Sequence, residues 1–314
     1  MATLALSPPQ TDRILTGVGL MLAFCVLAPL LDVASKLAAA TLPVGQIVVA
    51  RFVVQAALML PFVLVMRLDW RMSRRTFAFL VARAVCLMLA TYCFVAAVAV
   101  MPIADALAIV FVEPFILLIL GSLLFGDEVG PRRIIASTIG FAGALLVIQP
   151  SIAAFGSVAL YPLGTAFTFA GYMLITRAMS RGMHPVAMQL HTALVGSAIC
   201  LPLMWAFDGS GITALDAVMP RGIEWLWLFG VGFWAACSHM CMTYALKFAP
   251  SATLAPLHYA ELISAVVLGY LIFDDFPNPM TWAGIAIITG SGLYIIWREQ
   301  ISARARVTPP KPKR

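Results

Sequence analysis

MPIADALAIVFVEPFILLILGSLLFGDE (residues 101–128) and APSATLAPLHYAELISAVVLGYLIFDDF (residues 249–276) lie over one another at an offset of 148, with eight of the 28 positions identical. Matches at Leu and Ala carry little weight in an apolar chain. Those at Pro102/Pro250, Glu113/Glu261, Gly121/Gly269, Phe125/Phe273 and Asp127/Asp275 carry more, because Pro, Glu, Gly and Asp are scarce inside such runs. A fainter echo pairs Pro43 with Pro185 and Lys36 with Arg177, at offsets of 142 and 141. The chain therefore reads as two copies of one unit, residues 14–149 and 157–297, between a tail at 1–13 and a basic tail at 298–314.

Outward from these stretches the chain stays apolar. Of its 314 residues 62% are hydrophobic and only 11% charged, and the mean hydropathy is +0.98. Ordinary globular domains carry about 25% charged residues, and a soluble monomer of this size needs that charged skin. Soluble enzyme, nucleic-acid binder and disordered chain are excluded as readings, despite the net charge of +6. A hydrocarbon core about 30 Å thick takes roughly 20 apolar residues per helix. Ten such runs occur, at about 15–37, 44–66, 77–100, 103–125, 132–149, 157–177, 187–207, 223–246, 252–273 and 279–297. The longest link, Asp208 to Gly222, holds no inserted soluble domain. The segment 1–13 is polar and contains proline, and the run after it is too long for a cleaved signal, so it is read as the first span.

Charge fixes the expected orientation. With a cytoplasmic N-terminus, sixteen of the 20 Lys and Arg fall on the cytoplasmic side and only Arg221 on the other, with Lys36, Arg51 and Arg83 inside spans. A shift of one span would destroy this positive-inside alternation. Trp205, Trp225, Trp282 and Trp297 near span ends fit interfacial belts. The expected fold is an all-α membrane protein of ten transmembrane helices with both tails cytoplasmic. Five spans per unit is an odd number, so the second unit enters the membrane from the opposite side. Two inverted five-helix repeats result, an arrangement used by many secondary transporters.

Glu113 falls near the centre of the fourth run and Glu261 near the centre of the ninth. A carboxyl at the bilayer centre costs a few kcal/mol, so the repeat places two costly groups at one depth. They read either as a substrate or proton site or as protonated groups tying helices together. Pro114 and Pro256 each free a helix carbonyl at that depth, and His258, three residues before Glu261, shares its helix face and could exchange a proton with it. Asp32 and Arg51 lie at similar depths in the first two runs and form a second set, a gate or a fixed brace. Lys36 and Arg83 are expected to snorkel to interfaces, and His191 and His239 to be packing residues. Several span aromatics, Tyr92, Tyr172, Tyr244, Tyr259, Phe94, Phe169 and Trp234, could stack on an aromatic substrate or simply pack. The glycines at Gly140/Gly143, Gly290/Gly292 and Gly164/Gly171 are expected to allow close helix approach. All six cysteines fall in apolar runs and read as small packing residues, with no disulfide framework.

The stretch ALKFAPSATLAPLHYAELISAVVLGYLIFDD (245–275), its partner ending VEPFILLILGSLLFGDE, and ARF at 50–52 resemble the EamA-type branch of the drug/metabolite transporter superfamily, over nearly the whole chain. The Glu-Pro of the fourth run is typical of that branch; the ninth run departs from it with Leu262 where proline is usual. The resemblance implies two EamA domains, ten helices around a central cavity, cytoplasmic termini and a bacterial inner membrane. Its members include amino-acid exporters, S-adenosylmethionine carriers, metallophore exporters and proteobacterial riboflavin importers. DVASK in the first run followed by ARF most resembles the metabolite-uptake groups, which makes riboflavin the first expected substrate, with amino-acid export or S-adenosylmethionine transport as alternatives.

No GxxxxGK[ST] motif occurs, so energy is expected from a gradient or exchange. A membrane-embedded lipid-modifying enzyme is the rival from another class; it would cluster catalytic residues at one membrane face, whereas here the links are short and the acids lie at mid-depth. A passive channel would not need two inverted units. The expected partners are a small-molecule substrate and membrane lipids, with no nucleic acid, in a monomer or homodimer; no cofactor, metal or catalytic residue is assigned.

Overall fold

The computed structural model describes residues 11–68, 70, 72–113, 115–116, 119–120, 123, 131–179, 182–248, 257 and 260–307. Among them the chain is helical, without strands. The helices are α1 (Thr11–Ala39), α2 (Val44–Val65), α3 (Arg74–Val98), α4 (Ile103–Val110), α5 (Pro131–Phe155), α6 (Tyr161–Met179), α7 (Pro185–Ala206), α8 (Glu224–Phe248), α9 (Ala260–Phe273) and α10 (Pro279–Val307).

Local chemistry sets the ends. Pro43 and Pro102 stand immediately before α2 and α4, and Pro185 opens α7, where a missing N–H costs nothing. Ser73 caps α3, its Oγ accepting from Thr76 N–H at 3.1 Å. At the junction of the two units Gly156 takes φ +66, a left-handed conformation that ends α5; a 3-10 turn, Gly156–Leu160, then leads into α6.

The stretches Leu15–Ala39, Val44–Val65, Arg74–Val98, Thr138–Thr176, Pro185–Ala206 and Glu224–Ala245 are long and apolar enough to cross a membrane, and Ala260–Phe273 is a shorter apolar helix. The expectation of ten spans thus holds in its coarser form, an all-helical chain of membrane-spanning character. The fourth run is described as continuous helix only over Ile103–Val110, and 124–130 and 249–256 lie outside the described residues.

The helices interlock across the two units in matched sets. Helix α1 packs on α8 as α6 packs on α3, α1 meets α9 as α6 meets α4, and α2 meets α8 as α7 meets α3. Three further pairings, α2 with α7, α4 with α9 and α5 with α10, join equivalent helices. In lipid, helix association depends on close packing and polar ties, since the surroundings are as apolar as the side chains. At the α5–α10 crossing a Cβ on Gly284 would lie 2.4 Å from Val147 Cγ2 and 2.8 Å from the Gly143 carbonyl, so only glycine lets these backbones approach. Gly164 and Gly171 seat Cys93 and Cys86 of α3 against α6, at 3.1 and 3.3 Å from the Cβ each glycine lacks. Gly290 does not take the expected role: nothing lies within 4 Å of its missing Cβ, and Gly284 makes the contact instead.

Candidate functional site

Seven helices or their extensions, α1, α2, α3, α4, α6, α8 and α9, converge on one cavity with about 800 Å³ of open space, mouth included. Its walls are largely apolar and aromatic, with Phe24, Phe94, Phe111 and Phe169 among them, and its polar groups are few and buried: Asp32, Ser35, Arg51, Thr91, Glu113, Thr165, His239 and Glu261. A mostly apolar cleft with a handful of convergent polar groups is the usual form of a small-molecule site.

The acids come from α1, the continuation of α4, and α9. The repeat-related Glu113 and Glu261 line this one cavity together with Asp32. Cys25 Sγ donates to the Leu257 carbonyl at 3.2 Å and so ties α1 to the segment before α9. Pro114, Pro256 and His258, expected beside the two glutamates, lie outside the described residues.

Another part of the lining carries a cation. Arg51 Nη1 donates to Thr91 Oγ1, and Arg51 Nη2 donates to His239 Nε2 at 3.0 Å. Guanidinium has no acceptor, so His239 Nε2 must accept and the ring proton must sit on Nδ1. That Nδ1–H faces Tyr172 Oη at 3.4 Å, which also receives a bond from Arg83 Nη2 at 2.7 Å. Arg83 continues the chain, donating from Nε to Thr176 Oγ1 at 2.8 Å and from Nη1 to Thr192 Oγ1. Thr91, Thr176 and Thr192 each donate their own hydroxyl proton to the carbonyl four residues earlier, at 2.7–2.8 Å, which leaves an oxygen lone pair for an arginine.

Three expectations change here. Asp32 and Arg51 share the cavity but form no ion pair within 4 Å; Arg51 is drawn to Thr91 and His239 instead. Arg83 does not snorkel: it is 1% exposed, because Thr176, Thr192 and Tyr172 satisfy it in place. His239 is a member of the cavity wall rather than a packing residue. His191 does pack, with Nδ1 donating to the Ala187 carbonyl at 2.6 Å and its ring edge-on to Trp70. Sequence reasoning missed Thr91, Thr176 and Thr192 altogether; each lies 40 to 109 residues from the arginine it meets, so no local spacing points to it.

One end of the cavity is capped. Ser35 lines it, and the next residue, Lys36, reaches from α1 to Asp275 Oδ2 at 2.5 Å and to the Met101 carbonyl at 3.2 Å, with Nζ 4.6 Å from the centroid of the Phe273 ring. Lys36 was expected at an interface and is instead a tie between the two units. At the same end the 208–222 link is fastened to α2: Gln46 exchanges two hydrogen bonds with the Val218 backbone, at 2.8 and 3.0 Å, and Gly45 N–H donates to the Ala214 carbonyl at 2.9 Å.

Comparison with known proteins adds a family. The sequence model of the EamA-like transporter family matches residues 15–149 and again 156–297. A riboflavin transporter of Brucella anthropi is 25% identical over 285 residues, covering 90% of this chain and 99% of the relative. A riboflavin transporter of Vibrio cholerae is 30% identical over 207 residues, 65% of this chain and 66% of that one. An S-adenosylmethionine uptake transporter of Rickettsia felis is 24% identical over 286 residues, 91% and 94%. A solved crystal structure shares the fold, with TM-score 0.62 at 17% identity over 95% of this chain and 99% of the other.

Proposed function

The chain belongs to the EamA-like transporter family, and from that premise we propose that it takes up riboflavin across a bacterial inner membrane by alternating access. The match along nearly the full length of a riboflavin transporter carries this reading. In it, residues 14–149 and 157–297 form two inverted repeats of five spans each, and the tails 1–13 and 298–314 are cytoplasmic. Glu113, Glu261 and Asp32 handle substrate or protons at mid-membrane, and Pro114, Pro256 and His258 shape the same layer. The halves rock about that layer, and the Lys36–Asp275 tie closes the periplasmic end and opens once per cycle.

The cavity chemistry supports a flavin. Riboflavin joins a flat tricyclic ring, with carbonyl oxygens along one edge, to a chain of hydroxyls. Aromatic walls suit the ring face, carboxylates accept from hydroxyls, and arginine donates to carbonyls. A second reading is S-adenosylmethionine, favoured by three acids that would face a sulfonium and an ammonium.

The test is growth of a riboflavin auxotroph lacking its own importer, expressing this chain on limiting riboflavin. Rescue with accumulation of labelled riboflavin is expected. Membrane expression without rescue, together with uptake of labelled S-adenosylmethionine, would replace the first reading by the second.

A further inference from the structure

Resting on the riboflavin reading and deepening it, we infer that Arg51 reads the carbonyl-bearing edge of the flavin ring and that His239 is the positioning residue that aims it. Arg51 is buried in the wall of the cavity, yet two of its three nitrogens are engaged only by neutral groups and Nε has no hydrogen-bond partner among the described residues. A buried charge left incomplete is costly, and because Arg51 lines the cavity, an acceptor on a ligand there takes N–H groups that Thr91 and His239 leave over. The acids of the same cavity accept hydrogen bonds, so they suit the ribityl hydroxyls. Arginine only donates and suits groups that only accept, which on riboflavin are the ring carbonyls and the imine nitrogens beside them.

The relay behind Arg51 makes its aim rigid. Arginines stand at both ends, Arg51 and Arg83, and both only donate. The proton of His239 is therefore fixed on Nδ1, directed at Tyr172 Oη, and Nε2 is held as an acceptor for Arg51. His239 comes from α8, Tyr172 from α6 and Arg83 from α3, so three helices hold one guanidinium of α2 in place. Such preorganisation lowers the ordering cost of binding.

A glutamine at position 239 reproduces this arrangement, offering an acceptor where Nε2 lies, whereas leucine offers none. The experiment measures riboflavin uptake kinetics, and inhibition by lumiflavin, the same ring without the ribityl chain, in vesicles containing wild type, Arg51→Lys, His239→Leu and His239→Gln at matched membrane amounts. A lysine keeps the charge but loses the fork. For Arg51→Lys the riboflavin KM and the lumiflavin inhibition constant should rise together by about tenfold with Vmax within about twofold, the mark of a binding interaction. His239→Leu should raise KM by about three- to tenfold, and His239→Gln should return it to within about twofold of wild type. An unchanged KM in Arg51→Lys would overturn the inference. So would a riboflavin effect with lumiflavin inhibition untouched, which would place Arg51 on the ribityl chain. Should Arg51→Lys not reach the membrane, the His239 pair decides alone: equal KM in leucine and glutamine variants refutes a positioning role. A wild-type chain that takes up no riboflavin would sink both this inference and the reading beneath it, whereas wild-type uptake with normal Arg51→Lys kinetics sinks only this one.

Discussion

Arg51 and Arg83 are two buried cations in neighbouring helices of the first unit, and both are held by threonine hydroxyls and a ring residue. Arg83 has all three guanidinium nitrogens engaged, by Thr176, Thr192 and Tyr172, and lies away from the cavity. Arg51 has two engaged, by Thr91 and His239, and lines the cavity. One site is finished and the other is not. Thr176 and Thr192 already satisfy their own helix carbonyls, so Arg83 acts as a polar rivet between α3, α6 and α7. In the proposed reading Arg83 is scaffold and Arg51 is the group that a ligand completes.

The strongest way to break that contrast lies with the acids of the same cavity. If the acids complete the site that Arg51 begins, Glu113→Gln and Glu261→Gln should each lower uptake by about a hundredfold or to background while the folded protein stays in the membrane. Normal uptake in both would leave Arg51 without acidic counterparts in the site. Next comes the cap. In a Lys36→Cys, Asp275→Cys chain, a bis-methanethiosulfonate crosslinker long enough to replace the lysine side chain should stop uptake and dithiothreitol restore it, because the tie between these positions has to open; uptake indifferent to the crosslink, verified by mass spectrometry, removes the gate.

The third prediction separates the two arginines directly. Arg83→Ala should destabilise the detergent-solubilised protein by on the order of 2–4 kcal/mol, read as a lowered Tm, through a lost network and an unfilled space. Arg51→Lys should leave Tm close to wild type while shifting KM. Matching Tm values for the two variants would erase the distinction between rivet and reader. Gly284→Ala serves as a packing control remote from both: its new Cβ meets Val147 and the Gly143 carbonyl, so about 1–3 kcal/mol of stability should go, with KM unaltered. The smallest effect is expected from Tyr172→Phe. It removes the oxygen shared by Arg83 and His239 but leaves Arg51 bonded to His239, so KM should move by only about two- to threefold.

The repeat made Glu113 and Glu261 legible as partners, because a match of scarce residues at a fixed offset survives in any apolar background. The partners of the arginines were not legible. Arg51 and His239 are 188 residues apart, and Arg83 reaches across 89 to 109 residues to Tyr172, Thr176 and Thr192. The helices that carry them are apolar on most faces, so hydrophobic periodicity does not say which way each polar side chain points. For that reason the sequence alone places Lys36 and Arg83 at interfaces and sets Asp32 beside Arg51 on depth alone.

Sequence by itself determined that this chain is an apolar, all-helical membrane protein with two related halves and a pair of acids at corresponding positions. These follow from composition, run length, charge alternation and self-similarity, each a sum over many residues that no single contact can upset. Only the tertiary structure decided that Arg51 turns from Asp32 to His239, that Arg83 is sealed by hydroxyls, and that Lys36 spans the two units to Asp275. Those outcomes depend on rotation about helix axes, where a few hydrogen bonds among buried polar groups outweigh any preference of the apolar majority.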